Sequence, residues 1–271
     1  MKGSDGTSIA YAVSGYGYPI VKVGNWLSHL EFDHRSPVWR HWWRSLAERY
    51  QLVRYDERGC GMSDWNVPEF SFDAWCRDLE EIVDECGLKK FALLGISQGA
   101  SVAIAYAVKH PKRVSHLVLY GGAIQGRMKR AKTELEADEA RAYRNLIRVA
   151  WGRGNMAFRS VFLSLFMPDA NAEQARSFLD LQRVTTSPEN AERFIGVFQG
   201  FDTTALAPKV KAPTLIIHAR DDRVITVDQA RLAASLIPNS RLAILEGRNH
   251  ILSEEEPAWT RFLEEVQGFL G

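Results

Sequence analysis

The sequence predicts an α/β fold in which a mostly parallel central sheet is covered by helices on both faces and carries an inserted helical lid. Three observations carry that expectation. Apolar runs short enough to be buried strands recur along the chain, at residues 52–55, 91–95, 114–120 and 213–218. Segments with apolar residues at helical spacing separate them, and such alternation joins parallel neighbours because a parallel pair needs a long crossover. The alternation breaks once, from about residue 125 to 204, where helical periodicity continues with no convincing strand.

Taken in order, residues 8–13 have strand character and Gly15-Tyr-Gly17-Tyr-Pro19 is turn chemistry. A second short strand, 20–23, runs into the loop Gly24-Asn25-Trp26-Leu27-Ser28-His29. Trp39, Trp42, Trp43, Leu46 and Tyr50 recur at helical spacing ahead of the strand at 52–55, and a glycine-punctuated loop, 56–63, follows it. Ser71 is placed to cap a helix whose apolar face is Trp75, Leu79, Ile82, Val83 and Cys86, with Gly87 at its end. The strand at 91–95 leads through a glycine turn into a helix stopped by His110-Pro111, and 114–120 is the next strand.

Within the interruption, helical segments fall at 135–151, around Phe158 to Pro168, at 172–181 and around Phe194 to Phe198. The sheet resumes at 213–218, followed by a helix at 228–236, a strand at 242–245 and a last helix. Ser253-Glu-Glu-Glu256 with Pro257 reads as the capping box of that helix. The expected organisation is therefore a core of residues 1–124 and 205–271 with a helical cap at 125–204. Such a cap would lie over the strand ends, where open α/β sheets bind ligands.

Composition narrows the function. A length of 271 residues suits one large α/β domain with a sizeable core, and 46% apolar with 25% charged residues is ordinary for a globular protein. A net charge of +1 and no basic block argue against nucleic acid as a partner. Cys60, Cys76 and Cys86 are odd in number and lack CxxC spacing, which predicts neither a disulfide framework nor a zinc site and suits a reducing compartment. No apolar run follows Lys2 and no uncharged stretch of about 18 apolar residues occurs, so neither a secretory leader nor a membrane span is expected. The expectation is a cytoplasmic protein that acts on a small molecule.

The chemistry centres on Gly95-Ile-Ser97-Gln98-Gly99, set between an apolar strand and an amphipathic helix. A serine hydroxyl is a weak nucleophile unless it is held clear of the chain and hydrogen-bonded to a base. A sharp strand-to-helix turn with glycine on either side holds it so, and the following helix aims N–H groups and a positive dipole end at the reacting oxygen. Ser97 is the expected nucleophile. Of seven histidines, His250 follows the strand at 242–245 in a loop on the same edge and is the expected base. His218 lies in a buried strand, His110 and His116 flank a helix–strand joint, and His41 belongs to a Trp-rich helix, so these read as structural. His29 and His34 border the pocket in this reading. The orienting acid is expected from 219–224, giving the chain order Ser…Asp…His. Asp222 is preferred to Asp221 because Asp-x-Val places it where the loop turns back into the core, with Asp56 as the fallback.

Asp56-x-Arg58-Gly59-x-Gly61-x-Ser63, the elbow around Ser97, Arg220-Asp-Asp222-Arg-Val and Asn249-His250 together resemble the α/β-hydrolase superfamily over essentially the whole chain. The stretches 26–32 and 54–64 are similar to a narrower subgroup, found alone or joined to bacterial transcription-regulator or cyclase modules. The resemblance implies hydrolysis of an ester-like bond with no metal or organic cofactor. It also places the second oxyanion donor: aligned on Ser28-His29-Leu30, the N–H of Trp26 joins that of Gln98. The family's usual His-Gly is absent there, since the chain reads Gly24-Asn25-Trp26.

The expected pocket includes Asn25, His29, Phe158 and Phe162, with Leu165, Phe166, Phe194 and Phe198 as further apolar surface and Trp26, Trp65 and Trp151 as an aromatic wall. This favours a small-to-medium uncharged acyl ester over a carboxylate-bearing or phosphorylated substrate. A fixed arginine inside the pocket would reverse that preference. The same three residues would serve a lactone, a thioester or a carbon–carbon bond, and a non-catalytic ligand-sensing module is the reading from another class. Aspartate at position 97, required for a dehalogenase or epoxide hydrolase, is absent.

Overall fold

Two uncharged runs, Phe91–Ile96 and Thr214–Ala219, are buried along their whole length, as strands flanked on both sides and covered on both faces must be. The computed structural model describes residues 1–152 and 156–271. The first half contains β1 (Tyr11–Ser14), β2 (Tyr18–Lys22), α1 (Leu30–Arg35), α2 (Arg40–Ala47), β3 (Tyr50–Tyr55), α3 (Phe72–Glu85), β4 (Phe91–Ile96), α4 (Gly99–Lys109) and β5 (Val114–Tyr120). An all-helical insertion follows: α5 (Arg127–Arg130), α6 (Glu134–Ala150), α7 (Met156–Phe166), α8 (Ala172–Thr185) and α9 (Pro188–Gly200). The chain then returns to the sheet through β6 (Thr214–Ala219), α10 (Val227–Leu236), β7 (Ser240–Leu245) and α11 (Pro257–Leu270).

Among the described residues, the strands form one seven-stranded sheet in the order β1-β3-β2-β4-β5-β6-β7. Every pairing is parallel except that of β1 with β3, at the edge. Helices cover both faces. A Cβ on Gly95 would fall 2.7 Å from Cα of Ala100, so that residue faces α4. Its neighbour Ile96 points the other way and is in register with Tyr120. The Tyr120 ring lies 5.1 Å from that of Trp42 in α2 and 5.4 Å from that of Phe262 in α11. Trp42 is fully buried in this aromatic layer, where truncation of such a residue costs about 3–5 kcal/mol.

Several boundaries differ from the sequence pattern, among them that of β2, which starts at Tyr18 inside the expected turn. The first strand begins at Tyr11, because Ile9 gives its N–H to Met1 C=O at 2.9 Å and Ala10 gives its own to Ser63 Oγ at 2.9 Å. Helix α2 ends at Ala47, and Tyr50 opens β3 instead of continuing the helical face. The last helix is capped by Glu256 with Pro257 in its first turn, not by Ser253; the Glu256 carboxylate takes the Ser253 N–H.

Candidate active site

Ser97 joins β4 to α4 with a φ of +54°, in the left-handed region that a residue with a side chain rarely occupies. Its N–H is held by Tyr120 C=O at 2.9 Å. Because β4, β6 and β7 are all parallel to β5 or to one another, the loops after them open on one edge of the sheet. His250 comes from the loop after β7, and its Nε2 lies 3.0 Å from Ser97 Oγ. Its Nδ1 lies 2.6 Å from Oδ2 of Asp222, in the loop after β6. The other Asp222 oxygen accepts the N–H groups of Val224 at 2.8 Å and Ile225 at 3.1 Å. With Nδ1–H given to the carboxylate, Nε2 is left to accept from the hydroxyl. All three side chains are buried. Asp221, by contrast, is exposed.

Of the other histidines, His34 is exposed and lines a cleft that does not reach Ser97, and the rest are engaged elsewhere. His218 donates Nε2–H to Ile225 C=O at 2.7 Å and sits 3.5 Å from Asp222 Oδ2, and burial pushes its pKa down. His41 bonds Leu252 C=O at 3.0 Å, His110 meets Glu80 at 2.9 Å, and His116 packs on Phe269. Asp56, the alternative acid, is occupied in bracing two loops. It accepts from Ser28 Oγ, Leu30 N–H and Met62 N–H, each at 2.9 Å.

The loop at Trp26 is held from below and from the insertion. Its carbonyl accepts the Cys60 thiol at 2.8 Å and the Thr185 hydroxyl at 2.9 Å. Asn25 Oδ1 accepts from Lys22 Nζ, a buried ammonium whose pKa burial pulls down to about 8. Among the described residues, neither the Trp26 nor the Gln98 backbone N–H is given to another residue, and Trp26 lines the same cavities as Ser97.

Two small cavities touch Ser97. One, of about 20 Å³, is walled by Trp26, Arg127, Arg130, Tyr143 and Phe166 among others. The second, of about 10 Å³, is bounded by Asn25, Leu27, Trp39 and His250. Each has room for about one water molecule. A larger cleft of about 480 Å³ lies outside, and Arg127, Arg130 and Val224 line both it and the first cavity.

Asn25 and Trp26 therefore border the site, but three other expected pocket residues do not. His29 is the N-cap of α1, its Nδ1 accepting Phe32 N–H at 3.3 Å. Phe158, in the first turn of α7, is 45% exposed. Phe162 is buried behind the wall, its ring 5.3 Å from Trp151, which in turn lies 4.5 Å from Trp26. Phe166, at the other end of α7, is the one that reaches the site, 5.4 Å from the His250 ring. Trp65 is turned away, donating its indole N–H to Gly61 C=O at 2.9 Å.

Arg127 and Arg130 were not singled out by sequence reasoning. Arg127 is fixed by Val224 C=O at 3.2 Å and stacks 4.7 Å over the Tyr143 ring. A fixed arginine thus stands in the wall of the cavity beside Ser97, where the sequence pattern predicts apolar surface. The available signal was position: Arg-Met-Lys-Arg follows the carboxyl end of β5 after the short connection 121–126. Among the described residues, no group of three or more His, Cys, Asp or Glu side chains is placed to hold a metal ion. No described helix is long and apolar enough to cross a membrane.

Comparison with known proteins agrees with this fold. The family described as the alpha/beta hydrolase fold matches residues 32–257. A protein of Azorhizobium caulinodans named "Putative carbamate hydrolase RutD" is 26% identical over 96% of this chain and 94% of its own length. The pyrrolizixenacetamide deacetylase of Xenorhabdus hominickii is 24% identical over 91% of this chain and 90% of its own. Among solved structures, the esterase RhEst1 from Rhodococcus sp. ECU1013 superposes with a TM-score of 0.79 at 26% identity, covering 99% of this chain and 96% of that one.

Proposed function

The chain belongs to the α/β-hydrolase family, and from that premise we propose that it is a serine hydrolase cleaving a carboxylic ester of small to medium acyl length through an acyl-enzyme. The observation that carries the reading is the buried hydrogen-bonded chain Ser97–His250–Asp222, with 3.0 Å and 2.6 Å links. Neutral His250 takes the hydroxyl proton as Ser97 Oγ attacks the carbonyl carbon. Asp222 holds the ring in the Nδ1–H tautomer and stabilises the imidazolium. The N–H groups of Gln98 and Trp26 receive the developing oxyanion, a contribution of about 3 kcal/mol per donor in comparable sites. The imidazolium then returns its proton to the departing alkoxide. In the second half His250 activates water, which displaces Ser97 and releases the acid.

The insertion acts as a lid in this account. Cavities of about 20 and 10 Å³ beside Ser97 are too small for an ester, so α5–α9 must shift for substrate to enter. The names of the relatives, a deacetylase and a carbamate hydrolase, and of the structural neighbour, an esterase, are all compatible with acyl transfer to water. Three free cysteines suit a cytoplasmic site of action. Turnover of a p-nitrophenyl ester by Ser97→Ala and His250→Ala is the test. Each is expected to lose about 10⁴-fold or more in kcat with an unchanged circular dichroism spectrum. Undiminished turnover by Ser97→Ala contradicts the assignment.

A further inference from the structure

We propose that the substrate carries a carboxylate on the side remote from the scissile bond, bound by Arg127 and Arg130 at the mouth of the Ser97 cavity. This rests on the hydrolytic reading of Ser97 and specifies the substrate class. Both guanidinium groups belong to α5, the first helix after β5, and both line the cavity that contains Ser97 as well as the outer cleft. They therefore stand on the path between solvent and nucleophile. Their pairing is one-sided. Arg127 is satisfied by Val224 C=O and the Tyr143 ring, whereas among the described residues neither a hydrogen bond nor an ion pair reaches the Arg130 side chain.

A partly buried guanidinium beside a second one is costly unless an anion joins them. Burial and the neighbouring Arg127 pull the Arg130 pKa down to about 10, which leaves it cationic at neutral pH, with the attraction of Asp222 only partly offsetting those two effects. An arginine pair suits a carboxylate because planar forked donors match two oxygens. Around the outer cleft Arg127, Arg130, Lys132 and Arg223 stand against Glu136, Glu139 and Asp228, an excess of one positive charge that suits a monoanion better than a phosphate dianion, and Asp222 acts on Arg130 from the inner side. The apolar surface between arginines and serine, from Trp26, Ile195 and Phe198, suits a short methylene spacer.

The monomethyl esters of succinic, glutaric and adipic acids are compared with the methyl esters of the corresponding primary amides, which are neutral and nearly isosteric. In the wild-type protein, at least one acid is expected to exceed its amide partner tenfold in kcat/KM. Arg130→Gln is expected to collapse that ratio toward one, and Arg130→Lys to restore part of it. The ratio is read within one preparation, so a loss of folded protein cancels. Acids and amides turned over equally by the wild type, or a ratio unchanged by Arg130→Gln and Arg127→Met, overturns the subsite.

If neither ester series is turned over, the hydrolytic reading fails separately. The subsite is then decided by titrating Ser97→Ala with the same esters and following binding by calorimetry. Tenfold tighter binding of an acid, lost in Ser97→Ala/Arg130→Gln, supports the subsite, and equal binding of acid and amide overturns it.

Discussion

The hydroxyl of Thr185, at the end of α8, lies 2.9 Å from the carbonyl oxygen of Trp26. The same Thr185 hydroxyl is 2.7 Å from Ser28 C=O and accepts Ser28 N–H at 3.2 Å, while Thr185 C=O takes the Gly61 N–H at 2.7 Å. One residue of the insertion thus fixes the loop of Trp26, whose N–H is the proposed second oxyanion donor. Thr185→Val keeps the shape and removes these bonds. It is expected to lower kcat about tenfold, equal to about 1.4 kcal/mol of barrier, with KM changed little. Thr185→Ser restores the rate. A purely structural role would instead lower the melting temperature with kcat per folded molecule unchanged.

Gly121 makes room for the His250 ring. It follows β5 with a φ of +54°, and a Cβ there would lie 3.2 Å from His250 Cε1. Gly121→Ala combines backbone strain of about 1 kcal/mol or more with displacement of the imidazole. The expected result is a loss of more than tenfold in kcat, beyond what the fall in urea midpoint explains. Rate and midpoint measured on the same samples check it.

The Trp-rich helix ties stability to pH. His41 is buried on α2 and, with the Trp42 indole at 3.1 Å, bonds Leu252 C=O just beyond His250. Burial pushes its pKa from the ordinary 6.5 down to about 4. Between those values the unfolded chain binds a proton that the folded chain refuses, so stability falls on acidification, by up to about 3 kcal/mol for this group. Buried Asp33, pushed up to about 8, acts with the opposite sign, since the folded chain then holds the extra proton. The contribution of His41 is isolated by difference. Urea midpoints at pH 7 and 4.5 should fall further in wild type than in His41→Gln, and parallel falls would contradict the assignment.

Much of the fold was legible because burial on both faces leaves a strong mark. Uncharged runs such as Phe91–Ile96 could be little else than inner strands, and a glycine-flanked serine directly after one marks a sharp turn. Asp222 was separable from Asp221 because one neighbour had to face the core. What stayed hidden depends on long-range packing. Periodicity along α7 groups Phe158, Phe162 and Phe166 on one stripe, but which of them reaches His250 follows from where the helix ends. A basic tetrapeptide reads as solvated surface, so Arg127 and Arg130 came into view only when α5 was seen at the cavity mouth. His29 was misjudged for a local reason: its ring serves the helix that starts beside it.

The most direct test of the central claim, that Ser97 is a nucleophile activated by His250, is to treat the protein with a fluorophosphonate and map the adduct by mass spectrometry. The account predicts one adduct per chain, on the peptide containing Ser97, blocked by ester substrate and absent from His250→Ala. Label on another residue, or none on Ser97 in a protein that still hydrolyses esters, would contradict it.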